Sequence, residues 1–229
     1  MSPFAECAVL ATLHGRSMAH RRMAQSISGS TLPVSSKEGH DFWIRHQWLT
    51  AAVEEWMAAP STGPSHSNPM LVFTRMLAHD TVIHLNDTVK GIAWKGADQH
   101  LTAVAYGQRA YEAASDMVWW AKTVPQLGCF TACTYLHVPH APSPRPTKAN
   151  LALIPQTQAH PFLPGPLARA ATFFATDAKT TDTICTRQER DNAVKQLCGA
   201  LKRLRGVSNL AAKLLDELEA RRSHVSSCR

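Results

Sequence analysis

The sequence lacks cysteine pairs of the CxxC type. Its six cysteines, Cys7, Cys129, Cys133, Cys185, Cys198 and Cys228, form no even framework of close spacings. That argues against a disulfide-stapled secreted domain and for free thiols in a reducing compartment. No apolar run is long enough to span a bilayer, so no membrane association is expected. The opening MSPFAECAV puts an acidic residue, and no basic segment, ahead of its apolar stretch, which does not read as a signal peptide. There is no phosphate-binding glycine loop, no dinucleotide fingerprint and no HExxH. Gly63-Pro64-Ser65-His66-Ser67 lacks both the final glycine and the preceding strand of a nucleophile elbow, and His14-Gly15-Arg16-Ser17 is no better. Alternating apolar patterns that would pair as strands are missing, and so is any repeat period.

What is present is an ordinary globular composition. The 229 residues allow one sizeable domain or two small ones, with 45% apolar and 18% charged residues. The formal net charge is +7, which raises the question of acidic partners. The basic residues are scattered, however. The densest groups, His20-Arg21-Arg22, Lys202-Arg203-Leu204-Arg205 and Arg221-Arg222, fall on or beside expected helices and read as solvated faces or helix ends.

Helical spacing recurs along the chain. From Phe4 to Gln25 the residues are strong helix formers, with Phe4, Ala8, Ala11 and the pair Leu10 and Leu13 near one face. So apolar a helix beginning almost at Met1 reads as the middle of a domain and suggests a shortened coding sequence. Residues 26–38 are rich in Ser and Gly and read as a loop. Asp41 is placed to cap a helix reaching Ala59, in which Phe42, Leu49, Val53 and Trp56 share a face. Asn68-Pro69 is a strong start signal. The helix it opens, to about Trp94, is apolar around most of its circumference and is expected at the centre of the molecule. A further helix follows from about His100 to Thr123, closed by Trp119, Trp120 and Pro125. Five prolines between residues 128 and 158 argue against a helix there, and this segment reads as a disordered insert. A short helix from Gly165 to Ala175 comes next. Then Gln188 to Arg222 forms two amphipathic helices broken at Gly206 and recapped by Ser208 or Asn209. The expected fold class is all-α, an irregular multi-helix bundle or stack. Its first part is 1–127 and its second 159–222, with a tail at 223–229.

Few residues suggest chemistry. Cys129, Cys133, His137 and His140 carry the donor types of a tetrahedral zinc site. Their spacing is wrong for a finger, and Pro139 interrupts them, so a loop that happens to hold them is the better reading. His79, Asp80, His84 and Asp87 lie on one helix; Asp80 and His84, four apart, read as a polar surface pair. A small-ligand or metal-dependent enzymatic helical domain built on these histidines and carboxylates is the alternative function. The six tryptophans, Trp43, Trp48, Trp56, Trp94, Trp119 and Trp120, read as core, with an inter-helix ligand pocket as the other possibility.

Five segments, taken in order, carry a resemblance. Cys7 with Leu10 to Leu13, Gly15, Arg16 and Ala19 to Arg22; Phe42-Trp43, Arg45-His46 and Trp48-Leu49; Asn68-Pro69-Met70-Leu71; His160-Pro161-Phe162 with Pro164; and Gln188 to Glu219. Together they resemble the C-terminal half of the fungal-specific transcription factor regulatory domain, found in fungal zinc-cluster transcription factors. The resemblance implies an all-α, nuclear, non-enzymatic regulatory domain that binds protein partners, such as a dimer partner or coregulators. It also implies that DNA is reached only indirectly, through the family's N-terminal zinc cluster. That six-cysteine cluster does not occur in this sequence, so no zinc or other cofactor is expected in this chain. The insert at 128–158 departs from the family pattern, as an added loop or translated intron would.

Overall fold

The computed structural model describes residues 2–28, 37–59, 68–90, 97–123, 162–176, 185–206 and 208–227. These form seven helices: α1 Pro3–Ser28, α2 Lys37–Ala58, α3 Pro69–Lys90, α4 Ala97–Thr123, α5 Pro164–Thr176, α6 Arg187–Leu204 and α7 Asn209–Ser227. Among the described residues there is no strand, and the fold is all-α.

Local chemistry sets the helix starts. Ser2 accepts a bond from the Ala5 amide at 3.3 Å, and Pro3 stands at the first helical position, where its missing N–H costs nothing. Asn68 Oδ1 accepts from the Met70 amide at 3.0 Å, as the Asn-Pro pair led one to expect. Replacing Asn68 with Ala should cost about 1 kcal/mol in urea denaturation, whereas Asn68→Asp should cost little. Thr186 and Glu189 form a reciprocal capping box on α6, a T-x-x-E signature. The break at Gly206 is as expected, and Ser208 Oγ caps α7 through the Ala211 amide at 3.3 Å.

Several expected boundaries need correction. The loop placed at 26–38 is encroached on from both sides, because α1 runs to Ser28 and α2 begins at Lys37. Lys37 and Glu38 are good helix formers, so Asp41 sits inside α2 and does not cap it. The expected end of the fourth helix at Thr123 stands, with Trp119 and Trp120 inside its last two turns. The expected tail at 223–229 is helical through Ser227. The insert at 128–158 and residues 91–96, including Trp94, lie outside the described residues.

The core is built around α3. Fifteen of its side chains are buried, on every side of the helix. Some of its buried polar residues are satisfied within the helix itself. Thr74, Thr81 and Thr88 recur every seventh position and donate to the carbonyls of Met70, Leu77 and His84 at 2.7, 2.7 and 2.9 Å. α1 and α4 pack broadly on α3; α5 packs on both α3 and α6, and α7 lies on α5 and α6. The stripe read from sequence on α6, Val194, Leu197, Cys198, Leu201 and Leu204, is buried throughout.

The first helix differs from expectation. Its buried row is Leu10, Leu13, Ser17, His20 and Ala24, whereas Phe4 is 74% exposed and Ala8 and Ala11 are exposed. His20, expected on a solvated face, is 1% exposed. The tryptophans divide: Trp120 is buried, Trp43 and Trp56 half-buried, and Trp48 and Trp119 about half exposed. Trp48 and Trp56 lie under the guanidinium groups of Arg16 and Arg75, at 5.5 and 4.7 Å, where the ring faces attract the cations.

Candidate functional site

α1 on one side, and α5 with α7 on the other, border a cavity of about 1060 Å³ floored by α3. The wall from α1 is the row Phe4, Ala8, Ala11 and Met18. This explains why that row is not part of the core: its apolar groups face the cavity. Phe162 and Phe173, before and on α5, and Leu214 on α7 supply the opposite wall.

The floor is polar. Asp80 is 3% exposed. Arg169 of α5 reaches it with Nε at 2.6 Å from Oδ1, and Nη1 lies 4.0 Å from Asp87, two turns along α3. The two groups are engaged with each other at that distance, and both atoms are closed off from solvent. From α1, Arg21 comes within 3.8 Å of Asp87 and 3.5 Å of His84 Nδ1. His14 Nδ1 lies 3.0 Å from Thr81 Oγ1. Because the Thr81 hydroxyl donates to the Leu77 carbonyl, it must accept from His14, which places the His14 proton on Nδ1. His14 Nε2 then turns its lone pair towards Asp80 Oδ2 at 3.7 Å. A proton on either group makes that contact favourable.

Burial governs these titrations. It pushes the Asp80 carboxyl above its ordinary value, against the pull of Arg169 and His14. Asp87 is raised in the same way, against Lys90, Arg21 and Arg169. Burial lowers His14, partly offset by Asp80, and lowers His84 to about 3 with help from Arg169 and Arg21. Nearby, His20 Nε2 and His46 Nδ1 meet at 3.2 Å in a pocket closed by Phe42 and Tyr106. Burial takes His20 to about 4 and His46 to about 3.

The surface pair expected of Asp80 and His84 is therefore corrected. Both are buried, and Asp80 pairs with Arg169 and His14 on other helices. His79 leaves this group and approaches Asp116 of α4 at 3.9 Å. Cys129, Cys133, His137 and His140 lie outside the described residues. Among the described residues no three His, Cys, Asp or Glu side chains are grouped to hold a metal, and no helix is long and apolar enough to cross a membrane. Sequence reasoning missed Arg169. Its signal was a lone cation in an otherwise apolar, Ala-rich helix.

The chain is 36% identical over 225 residues to a sorbicillinoid biosynthetic cluster transcription factor of Hypocrea jecorina, covering 96% of the chain and 28% of that protein. A transcription factor of Aspergillus terreus is 41% identical over 79% of the chain and 24% of its own length. An asperfuranone cluster transcription factor of Emericella nidulans is 35% identical over 95% of the chain and 31% of its own length. Over most of its length the chain is similar to fungal cluster transcription factors. It spans about a quarter to a third of the length of these fungal regulators. No family model matches the chain, and no solved structure does.

Proposed function

We propose that this chain is a regulatory, protein-interaction domain of a fungal transcription factor, acting in the nucleus on transcription and catalysing no reaction of its own. The observation that carries this reading is the 36% identity, across 96% of the chain, to a cluster-specific transcription factor. The geometry supports it. The charged groups of the floor are engaged with one another across three helices, an arrangement that ties helices together. In this reading the domain contacts a dimer partner or coregulators, DNA is contacted by another region, and the domain holds no metal.

Tethering tests the reading. The 229-residue chain, fused to a heterologous DNA-binding domain in a filamentous fungus, should change expression of a reporter at least threefold, up or down, relative to the DNA-binding domain alone. An equally abundant nuclear fusion that leaves the reporter unchanged would overturn it.

A further inference from the structure

The outer face of the α1–α2 pair carries side chains that neither the core nor the cavity uses. The two helices lie side by side, and His20 and His46 meet on the inner side of their seam. On the outer side two contacts cross it. The Arg16 guanidinium lies over the Trp48 ring at 5.5 Å, and Arg45 Nη1 donates to Met23 Sδ at 2.7 Å. Ile44 stands one turn before Trp48 on the same face of α2. Met23, Ile44 and Trp48 are each about half exposed, and none of them lines the cavity.

The charge of this face is what says what it fits. Arg16, Arg22 and Arg45 are exposed. Arg16 is engaged with a ring and Arg45 with a thioether, which is a weak acceptor. Among the described residues none of the three has a carboxylate partner. Other arginines do: Arg21 and Arg169 reach Asp87, and Arg109 reaches Glu54. Two exposed acids of α2 share this side, Asp41 one turn before Arg45 and Glu55 two turns past Trp48, and neither pairs with an arginine. Three cations thus stand against two acids, and only cations touch the apolar centre. The chain as a whole carries +7, which draws acidic partners from a distance.

A guanidinium resting on a ring or a thioether keeps donors for a carboxylate, which it can grip with two parallel bonds. The apolar groups between the cations call for apolar groups between the carboxylates of the partner. A helix with one apolar and one acidic face has both. Nucleic acid phosphates would answer the arginines but bring no apolar cover for Ile44, Met23 and Trp48.

We propose that the outer α1–α2 face binds an acidic amphipathic helix of another protein, its apolar side on Trp48, Ile44 and Met23 and its carboxylates on Arg16, Arg22 and Arg45. Calling that protein a coregulator or dimer partner rests on the transcriptional reading above; the binding itself does not.

The test is fluorescence anisotropy of the whole purified chain with a labelled synthetic peptide of about 20 residues, Leu and Phe on one helical face and Glu elsewhere. Saturable one-to-one binding is expected, weakened at least threefold between roughly 50 and 300 mM salt. A matched peptide with Lys for every Glu should bind at least tenfold more weakly. Arg16→Glu combined with Arg45→Glu should invert that preference, and Arg22→Glu, which should reduce it, serves if the double variant folds poorly. Trp48→Ser should weaken the acidic peptide at least fivefold. Leu101→Ser, at an exposed apolar position of α4, should change nothing. Equal binding of the two peptides, binding indifferent to the arginine and Trp48 variants, binding lost in Leu101→Ser, or displacement by a DNA duplex at the concentration of unlabelled peptide that competes would each overturn the proposal. A chain that binds the acidic peptide as stated but is silent when tethered would leave the face standing and remove the regulatory reading; the reverse outcome would remove the face alone.

Discussion

Arg169→Met should destabilise the protein by about 3 kcal/mol, the low end for breaking a buried ion pair. The low end applies because the Arg169 side chain is 30% exposed while Asp80 is 5% exposed. Methionine keeps most of the volume and the apolar stem, so the loss isolates the charge. Without the guanidinium, Asp80 keeps only His14 at 3.7 Å as a nearby cation, and only when that ring is protonated. A loss of this size lowers the melting temperature by roughly 6–12 °C in a chain of this length. Adding Asp80→Asn should return most of the loss, because a neutral amide needs no counter-charge. A urea double-mutant cycle measures this coupling. If the two single variants simply added, the pair would not be the tie between α3 and α5 described above.

Acid should unfold the protein well above the range in which carboxylates titrate. His20 and His79 titrate at about 4 in the folded chain, and His46 and His84 at about 3, each lowered chiefly by burial from 6.5. Well above pH 6.5 these rings are neutral in both states and contribute no pH dependence. Below it the unfolded chain takes up protons that the folded chain refuses. Stability then falls by about 1.4 kcal/mol per pH unit for each such ring, until the folded values are reached. Four rings acting together cost on the order of 4 kcal/mol between pH 6.5 and 5.5. The raised carboxyls of Asp80, Asp87 and Asp116 oppose this, since the folded state binds their protons more readily as the pH falls. The groups around these rings add to the effect or oppose it weakly. Arg45 faces His20, Arg75 faces His79, and Arg21 and Arg169 face His84, while Asp116 beside His79 is largely in water. Urea midpoints from pH 7.5 to 5 should fall steeply. His20→Phe, which keeps a ring against Phe42, should reduce the slope by one proton. A flat profile would contradict the buried, neutral state of these histidines.

How much of this could be read from residues alone depends on how local the cause is. Asn68-Pro69, the Gly206 break and the Leu197–Leu201–Leu204 stripe are decided within a turn or two of chain, and each was legible. The face of α1 was not. Periodicity shows that Phe4, Ala8 and Ala11 share a side, but not whether a helix or an open cavity lies opposite. The floor of the cavity was harder still. His14, Asp80 and Arg169 come from α1, α3 and α5, and nothing near any of them in sequence names the others. A lone arginine among alanines was the one local trace. Asp80 and His84 looked like neighbours on a wet surface because an i, i+4 spacing gives adjacency without burial. The burial comes from α1 and α5 closing over α3.

The distance along the chain between Asp80 and its cation has a consequence during synthesis. At about 5–20 residues per second, a ribosome delivers Asp80 several seconds before Arg169. Through that interval the emerging chain carries its central helix without the cation that answers its buried acid. Completion waits on the thirteen residues of α5, so ribosome pausing or chaperone holding upstream of that helix would set the yield of correctly assembled protein.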